Sequence, residues 1–176
     1  VQRIAPTVPT DGGPSKLFMK GGRKSGLWHV LGCLEGAAVV LLAEGYATAA
    51  SLHQATGWPV AVAFDAGNLA HVAKALRQRE RTALLVLCGD DDAATEARTG
   101  TNTGRVKAEA AARAVRGLAV FPEGLPDGGS DFNDMHHAQG LHAVGACVEA
   151  AIAAHQAEQA ERAQRAVQGT TAGKAS

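Results

Sequence analysis

The 176 residues of this chain are enough for one compact domain with a buried core, so we expect one main domain with short extensions. Its 17 basic and 17 acidic residues cancel, which excludes a general attraction to polyanions and requires any nucleic-acid interface to come from local charge clusters. Three widely spaced cysteines without a CxxC pair exclude a disulfide framework and a zinc ribbon, and they favour a reducing compartment.

No apolar run approaches the roughly twenty residues that a membrane span requires, and no basic start precedes an apolar segment as in a secretory signal. We therefore expect a cytoplasmic protein without a membrane partner. Because the chain starts at Val1 rather than at a methionine, we also expect it to be a piece of a larger protein.

The first 36 residues are rich in glycine, proline and lysine, and they contain the short strings KLFMK and GLWHVLG. Such strings are typical of small strands joined by turns, so we predict a partial β-rich segment at 1–36. Its basic side chains are candidates for binding the phosphates of a nucleotide or a DNA strand, with solvated surface charge as the alternative for each. They are Lys16, Lys20, Arg23 and Lys24.

From residue 37 onward, short apolar runs alternate with alanine-rich helical stretches. Continuous apolar runs are typical of strands buried on both faces of a parallel sheet, and they lie at 37–43, 60–64, 83–88 and 118–121. The helical stretches between them lie at 47–56, 69–79 and 105–115. We predict an α/β fold, a Rossmann-like sheet of about four parallel strands flanked by helices, in which ligands bind at the carboxyl ends of the strands.

The main domain predicted in this way spans 37–140, and a helix is predicted after it at 141–168. The distal part of that helix carries Glu158 with Arg162 and Glu161 with Arg165 at i,i+4 spacing, which is typical of a solvated helix or a link to a neighbouring domain. The closing string GTTAGKAS predicts a disordered tail at 169–176.

Carboxylates follow two of the predicted strands directly. Glu44 comes after the first strand, and Asp90, Asp91 and Asp92 come after the third. Carboxylates about 4 Å apart repel by roughly 1 kcal/mol in water and by more in a partly buried site, so the cluster requires protons or a cation. In an extended segment Asp90 and Asp92 point to one side and Asp91 to the other. We therefore predict that Glu44, Asp90 and Asp92 hold Mg²⁺ or Mn²⁺.

The acidic positions also have structural interpretations. Glu44 is suitably placed as a helix-start acid that interacts favourably with the helix dipole. In GGSDFNDMHH, Asp131 is a further candidate metal ligand and Asp134 a weaker one, but Ser130 or Asp131 is equally suited to cap a short helix.

Two other motifs are not predicted to form sites. His136, His137 and His142 lack an i,i+4 pair with a catalytic Glu, which favours surface or capping roles over zinc binding. The string GGRKSGLW has Leu27 and Trp28 where a Walker loop requires Lys and Ser or Thr, so a phosphate-binding loop of that type is excluded.

Taken together, these residues resemble the Toprim family, the catalytic domain of bacterial-type primases, of type IA and type II topoisomerases and of some nucleases. The family's Glu after the first strand and DxD after the third correspond to Glu44 and to Asp90 with Asp92. The strings AEGYATAASLHQATGWPVAVAFDAGNL and GSDFNDM are most similar to the primases of plasmids, integrative elements and phages. The resemblance covers residues 37–140.

The resemblance implies the catalytic core of a DNA primase, which makes primers from nucleoside triphosphates on single-stranded DNA with Mg²⁺ or Mn²⁺. A helicase or other domains of the parent protein would be its partners. The catalytic residues would be Glu44, Asp90 and Asp92, which would also bind the metal together with Asp131. Further nucleotide or DNA contacts along the same edge would come from Asn68, Arg105 and Lys107.

Two other functions stay open at this point. A Toprim nuclease would use the same metals to activate water for phosphodiester cleavage. A non-catalytic module would keep the fold and bind nucleic acid or a protein partner. The presence of all three acids, Glu44, Asp90 and Asp92, counts against the non-catalytic module.

Overall fold

The computed structural model describes residues 2–5, 7, 10, 12–14 and 16–172. Within these residues the strands are β1 (Gln2–Ile4), β2 (Lys16–Phe18), β3 (His29–Leu31), β4 (Val39–Ala43), β5 (Val60–Val62), β6 (Leu84–Cys88) and β7 (Leu118–Val120). The helices are α1 (Tyr46–Thr56), α2 (Ala66–Arg79), α3 (Ala93–Thr99), α4 (Thr103–Val115), α5 (Phe132–Gln139) and α6 (Leu141–Ala172).

The main sheet has five strands in the order β3-β5-β4-β6-β7, and β1 pairs with β2 in a separate antiparallel ribbon. Strands β4 to β7 are parallel, which confirms the predicted four-stranded Rossmann-like core. The fifth strand, β3, is antiparallel to β5 and comes from the segment predicted to be separate. A strand of three residues has too few positions for its sequence to indicate which sheet it joins.

Alternate residues of the central strands face the two layers of helices. Val40, Leu42, Leu85 and Leu87 pack with α2 and α4 on one face of the sheet. The residues between them in the sequence pack with α1, α5 and α6 on the other face. Because both faces of β4 and β6 are covered, these strands consist of apolar residues throughout.

Side-chain caps fix the point at which four of the helices begin. Asp65, Asp92, Asn102 and Asp131 each accept a hydrogen bond from a backbone N–H in the first turn of α2, α3, α4 and α5, respectively. Two of these helices, α2 and α3, start shortly after β5 and β6 end at the carboxyl edge of the sheet. The same residue types that predicted a ligand site therefore also determine how the chain turns at that edge.

The structure corrects the predicted ends of two segments. Residues 93–104 lie outside the helical stretches predicted from the sequence, but they contain the helix α3, because Asp92 caps a stretch that includes good helix formers. The tail predicted as disordered from 169 is helical up to Ala172, and residues 173–176 lie outside the described residues. No helix in the described part of the chain is long and apolar enough to cross a membrane.

Candidate metal and nucleotide site

Glu44 and Asp90 follow the ends of the two strands at the centre of the sheet. Strands β4 and β6 pair in parallel with Ala43 opposite Cys88, so the chain leaves both strands at the same level. Glu44 comes directly after β4, and Gly89 and Asp90 come directly after β6. The sheet therefore brings the two predicted acids to neighbouring positions at its carboxyl edge.

Asp90 lies in an acidic environment. Burial first, and then the negative charges of Glu44, Asp131 and Asp134, together raise the pKa of its carboxyl to about 7, while the positive charge of Lys16 acts in the opposite direction. Near neutral pH Asp90 therefore takes up a proton more readily than an ordinary aspartate, and a cation at the site competes with that proton.

The environment of the Glu44 carboxyl group also disfavours its charged form. Burial raises the pKa of Glu44, the positive charge of Lys107 lowers it, and the negative charge of Asp65 raises it. The Oε1 atom of Glu44 is buried and has no hydrogen-bond partner among the described residues. A buried carboxylate oxygen without a donor costs free energy, and a bound cation relieves that cost.

These observations fit a hard divalent cation in part. The donors at the site are carboxylate oxygens, which suit Mg²⁺ and Mn²⁺. Within the described residues, however, no three His, Cys, Asp or Glu side chains stand close enough together to hold an ion. The fold thus brings two carboxylates, Glu44 and Asp90, to the edge where a cation site was predicted.

Asp131 is close enough to Asp90 to raise its pKa, but most of its carboxylate is used in structure. Its Oδ1 accepts hydrogen bonds from the backbone N–H groups of Asn133 and Asp134, and its Oδ2 accepts one of 2.9 Å from the Thr48 hydroxyl. Asp134 reciprocates by accepting from the backbone N–H of Asp131, which completes a capping box. The helix-cap role considered for Asp131 is therefore confirmed, and its role as a metal ligand stays a prediction.

Asp91 is directed to a different set of partners. Its two carboxylate oxygens accept hydrogen bonds from Nε and Nη2 of Arg105, both at 2.9 Å, and Oδ1 also accepts one from the Asn102 amide. These hydrogen bonds, above all those from Arg105, lower the pKa of Asp91. Arg105 also lies over the ring of Phe121, at 4.2 Å from the ring centroid. The guanidinium proposed as a nucleotide contact is thus committed to a structural ion pair.

We predict that Arg105→Ala lowers the free energy of unfolding by about 1 kcal/mol. The bidentate geometry favours a contribution above that of most surface pairs, and the 40 % exposure of the Arg105 side chain limits it through solvent screening. Urea denaturation at neutral pH measures the loss. The matched control is Arg113→Ala, which removes an exposed i,i+4 pair with Glu109 from the same helix and should cost less than about 0.5 kcal/mol. Equal losses of unfolding free energy in both variants would contradict a structural role for the ion pair of Arg105 with Asp91.

Asp92 is placed differently from the prediction. The chain turns into α3 directly after it, so Asp90 and Asp92 do not belong to one extended segment, and Oδ1 of Asp92 accepts a hydrogen bond from the backbone N–H of Thr95. Hydrogen bonding to Thr95, first with its side chain and then with its backbone N–H, lowers the pKa of Asp92. Among the described residues, the acids that act on Asp90 do not include Asp92.

Asn68 is a structural residue rather than the nucleotide contact that was predicted. Its side chain is 2 % exposed, and its Nδ2 donates hydrogen bonds to the carbonyl groups of Leu27 and Ala63, both at 2.9 Å. Its Oδ1 accepts one from the backbone N–H of Gly26. Because these bonds use both amide donors, Asn68 fixes the segment before β3 against the end of β5 and has no donor left for a ligand.

The predicted basic residues divide by position. The charges of Lys16 and Lys107 act on Asp90 and Glu44, respectively, and both side chains are exposed, so they flank the acidic pair. Lys20 and Arg23 are exposed on the segment between β2 and β3. Lys24 forms an ion pair of 2.5 Å with Asp65.

Two glycines allow α4 to approach the acidic loop closely. A Cβ atom at Gly104 would stand 2.5 Å from the backbone oxygen of Asp90, and one at Gly89 would stand 2.6 Å from the Cβ atom of Ala108. Neither position has space for a side chain. Neither glycine was predicted from the sequence, and neither were Thr48 and Asn102, which hydrogen-bond Asp131 and Asp91, respectively. A polar residue directly before a helical stretch was the available signal for Asn102.

Comparison with known proteins places this geometry in context. A family model described as Toprim domain matches residues 39–142. Two curated proteins from Escherichia coli, both named DNA primase TraC, are 43% and 44% identical to this chain over 118 residues, which is 65% of the chain in each case. The matched part is 11% of the first relative and 8% of the second, so the chain spans about a tenth of their length. No solved structure matches this chain.

Proposed function

Because the chain belongs to the Toprim family, we propose that it is the catalytic core of a DNA primase, which joins nucleotides in a metal-dependent reaction on single-stranded DNA. The observation that carries this proposal is the pair of Glu44 and Asp90 at the ends of adjacent strands, where one buried carboxylate oxygen of Glu44 has no hydrogen-bond partner in the described part of the chain. The names of the relatives support the reaction class. Nucleoside triphosphates, a template strand and a helicase or other domains of the parent protein are the partners that follow from it.

In this proposal Glu44 and Asp90 hold Mg²⁺ or Mn²⁺ through their carboxylate oxygens. Such an ion, when bound, neutralises phosphate charge and favours attack by a hydroxyl group. Lys16 and Lys107 flank the acids and attract the phosphates of a nucleotide. Thr48 fixes the Asp131 carboxylate near Asp90, which keeps negative charge at the site and attracts a cation to it.

The direct test is primer synthesis by the protein that carries this chain. Labelled ribonucleotides, single-stranded DNA and Mg²⁺ or Mn²⁺ should give short labelled products, and a chelator should abolish them. Absence of primers with both metals would overturn the proposal. Nicking of a supercoiled plasmid in Mn²⁺ without nucleotides would instead support a nuclease. A calorimetric titration that shows no metal binding, together with intact DNA binding, would support a non-catalytic module.

Asp92 stays in the proposed catalytic set as a third ligand, and Asp92→Asn separates its two roles. Asparagine is as good a helix cap as aspartate, so we expect unfolding in urea to be unchanged within about 0.5 kcal/mol. The lost carboxylate charge should reduce primer synthesis at least about tenfold. Unchanged synthesis in this variant would assign Asp92 to the α3 cap alone.

A further inference from the structure

A cleft of about 650 Å³ opens beside the acidic pair. It lies next to the paired strands β3 and β5, on the side of β4 away from β6. One of its lining residues, Tyr46, follows Glu44 by two residues in the chain. Adjacent strands are about 4.8 Å apart, so the cleft and the acidic pair are separated by the width of one or two strands. A volume of this size accommodates a nucleotide or a small part of a strand.

Aromatic rings form much of the wall of this cleft. Phe18, Trp28, Tyr46 and Phe64 line it, and Phe18 and Tyr46 remain 41% and 43% exposed. The ring of His29 lies against that of Tyr46, with 6.1 Å between the centroids and 30° between the planes. Exposed aromatic rings cost hydration free energy, so rings left open in a cleft indicate that a planar or apolar ligand covers them.

The backbone conformation of Phe64 also indicates a ligand-binding site. Its φ angle is +67°, a left-handed conformation that is unfavourable for a bulky side chain. Phe64 lines the cleft just beyond the end of β5 and also packs against the core on one face of the sheet. Strained residues of this kind persist where the surrounding structure enforces them, and they are concentrated at ligand-binding sites.

The charge around the cleft is positive. No acidic residue occurs between Gly12 and Leu34, while Lys16, Lys20, Arg23 and Lys24 all do, and of these Lys24 is paired with Asp65. In the described part of the chain, five of the seven exposed large apolar side chains lie in this segment or at Tyr46. Cations interleaved with exposed aromatic and apolar side chains are typical of proteins that bind single-stranded nucleic acid.

We propose that this cleft binds an unstacked base of a single DNA strand, with Phe18 and Tyr46 stacking on the base and with Lys20 and Arg23 near the flanking phosphates. This inference rests on the proposed function for the identity of the strand. A base in a duplex is already stacked on both faces, so the cleft selects single-stranded DNA. The run of cations from Lys16 to Lys24 extends beyond one nucleotide, which favours a strand over a free nucleotide.

The test compares two ligands of equal charge. Fluorescence anisotropy measures binding of the chain to labelled oligo(dT) of about 12 nucleotides and to an abasic strand of the same length, in a chelator and without nucleotides. Phe18→Ala and Tyr46→Ala should each weaken oligo(dT) binding by about 5- to 100-fold and leave abasic binding unchanged within about twofold. Tyr46→Phe keeps the ring and should retain binding.

Leu17→Ala is the matched control, because Leu17 is exposed in the same strand as Phe18 but does not line the cleft. It should bind oligo(dT) as the unchanged chain does. Equal affinities of the unchanged chain for oligo(dT) and abasic strands would overturn the proposal. So would ring variants that bind oligo(dT) normally but bind a fluorescent nucleoside triphosphate less tightly. Since this assay contains no metal, a failure of primer synthesis does not affect its outcome.

Discussion

Asp90→Asn should lower primer synthesis by at least about 100-fold in the protein that carries this chain. The substitution preserves the shape of the side chain and removes the charge that a divalent cation requires, and metal stabilisation of phosphate charge contributes several kcal/mol to such reactions. Initial rates at saturating nucleotide and metal measure the effect. Raising the Mn²⁺ concentration should recover part of the activity, because the remaining carboxylate of Glu44 still binds the ion weakly.

The matched control for this variant is Asp127→Asn, which changes an exposed aspartate in the turn before α5. It removes the same charge from the protein and should leave the rate unchanged within about twofold. If Asp90→Asn retained more than a tenth of the activity while Glu44→Gln abolished it, the metal site would be centred on Glu44 with other partners. Comparison of Asp90→Asn with Asp127→Asn and Glu44→Gln therefore tests the pair of Glu44 and Asp90 rather than the net charge of the protein.

The elements of the fold that could be predicted from the sequence are those whose residues are buried. Continuous apolar runs identified the four parallel strands. Strands that are covered on both faces consist of apolar residues throughout, so they are easily recognised in the sequence. The strand β3 was missed as a member of the main sheet, since its partner β5 is 29 residues or more away in the chain and three residues carry no register signal. The resemblance to the Toprim domain of DNA primases is confirmed by the comparisons.

The candidate site was predictable in its location and less so in the direction of each side chain. Strand ends placed Glu44 and Asp90 together, because parallel strands share one carboxyl edge. The roles of Asp92 and Arg105 depend on where α3 and α4 begin, which the sequence pattern does not resolve to within a residue. Asn68 is a buried linker between distant segments, and contacts of that kind are determined by the tertiary structure.

Asp90→Asn should also raise the free energy of unfolding of the metal-free chain, by roughly 2–4 kcal/mol at about pH 8. The pKa of Asp90 is about 7 in the fold and near 3.8 when unfolded. Between these values the folded chain keeps a proton that the unfolded chain has lost, so the stability of the unchanged chain falls as pH rises through this window. Asparagine does not titrate. Its advantage should therefore be absent near pH 4 and complete above pH 7, as measured by urea denaturation in a chelator.

Asp91→Asn provides a control of opposite sign from the adjacent residue. Arg105 lowers the pKa of Asp91, so its charge stabilises the fold above the unfolded pKa, and that contribution is lost as the pH falls. Asp91→Asn should therefore destabilise the chain at about pH 8, where Asp90→Asn stabilises it. Millimolar Mg²⁺ should raise the stability of the unchanged chain and leave that of Asp90→Asn nearly unchanged, because the ion replaces the proton at the same carboxylate. Destabilisation by both substitutions would show that Asp90 is held by a partner donor rather than in an unfavourable acidic pair.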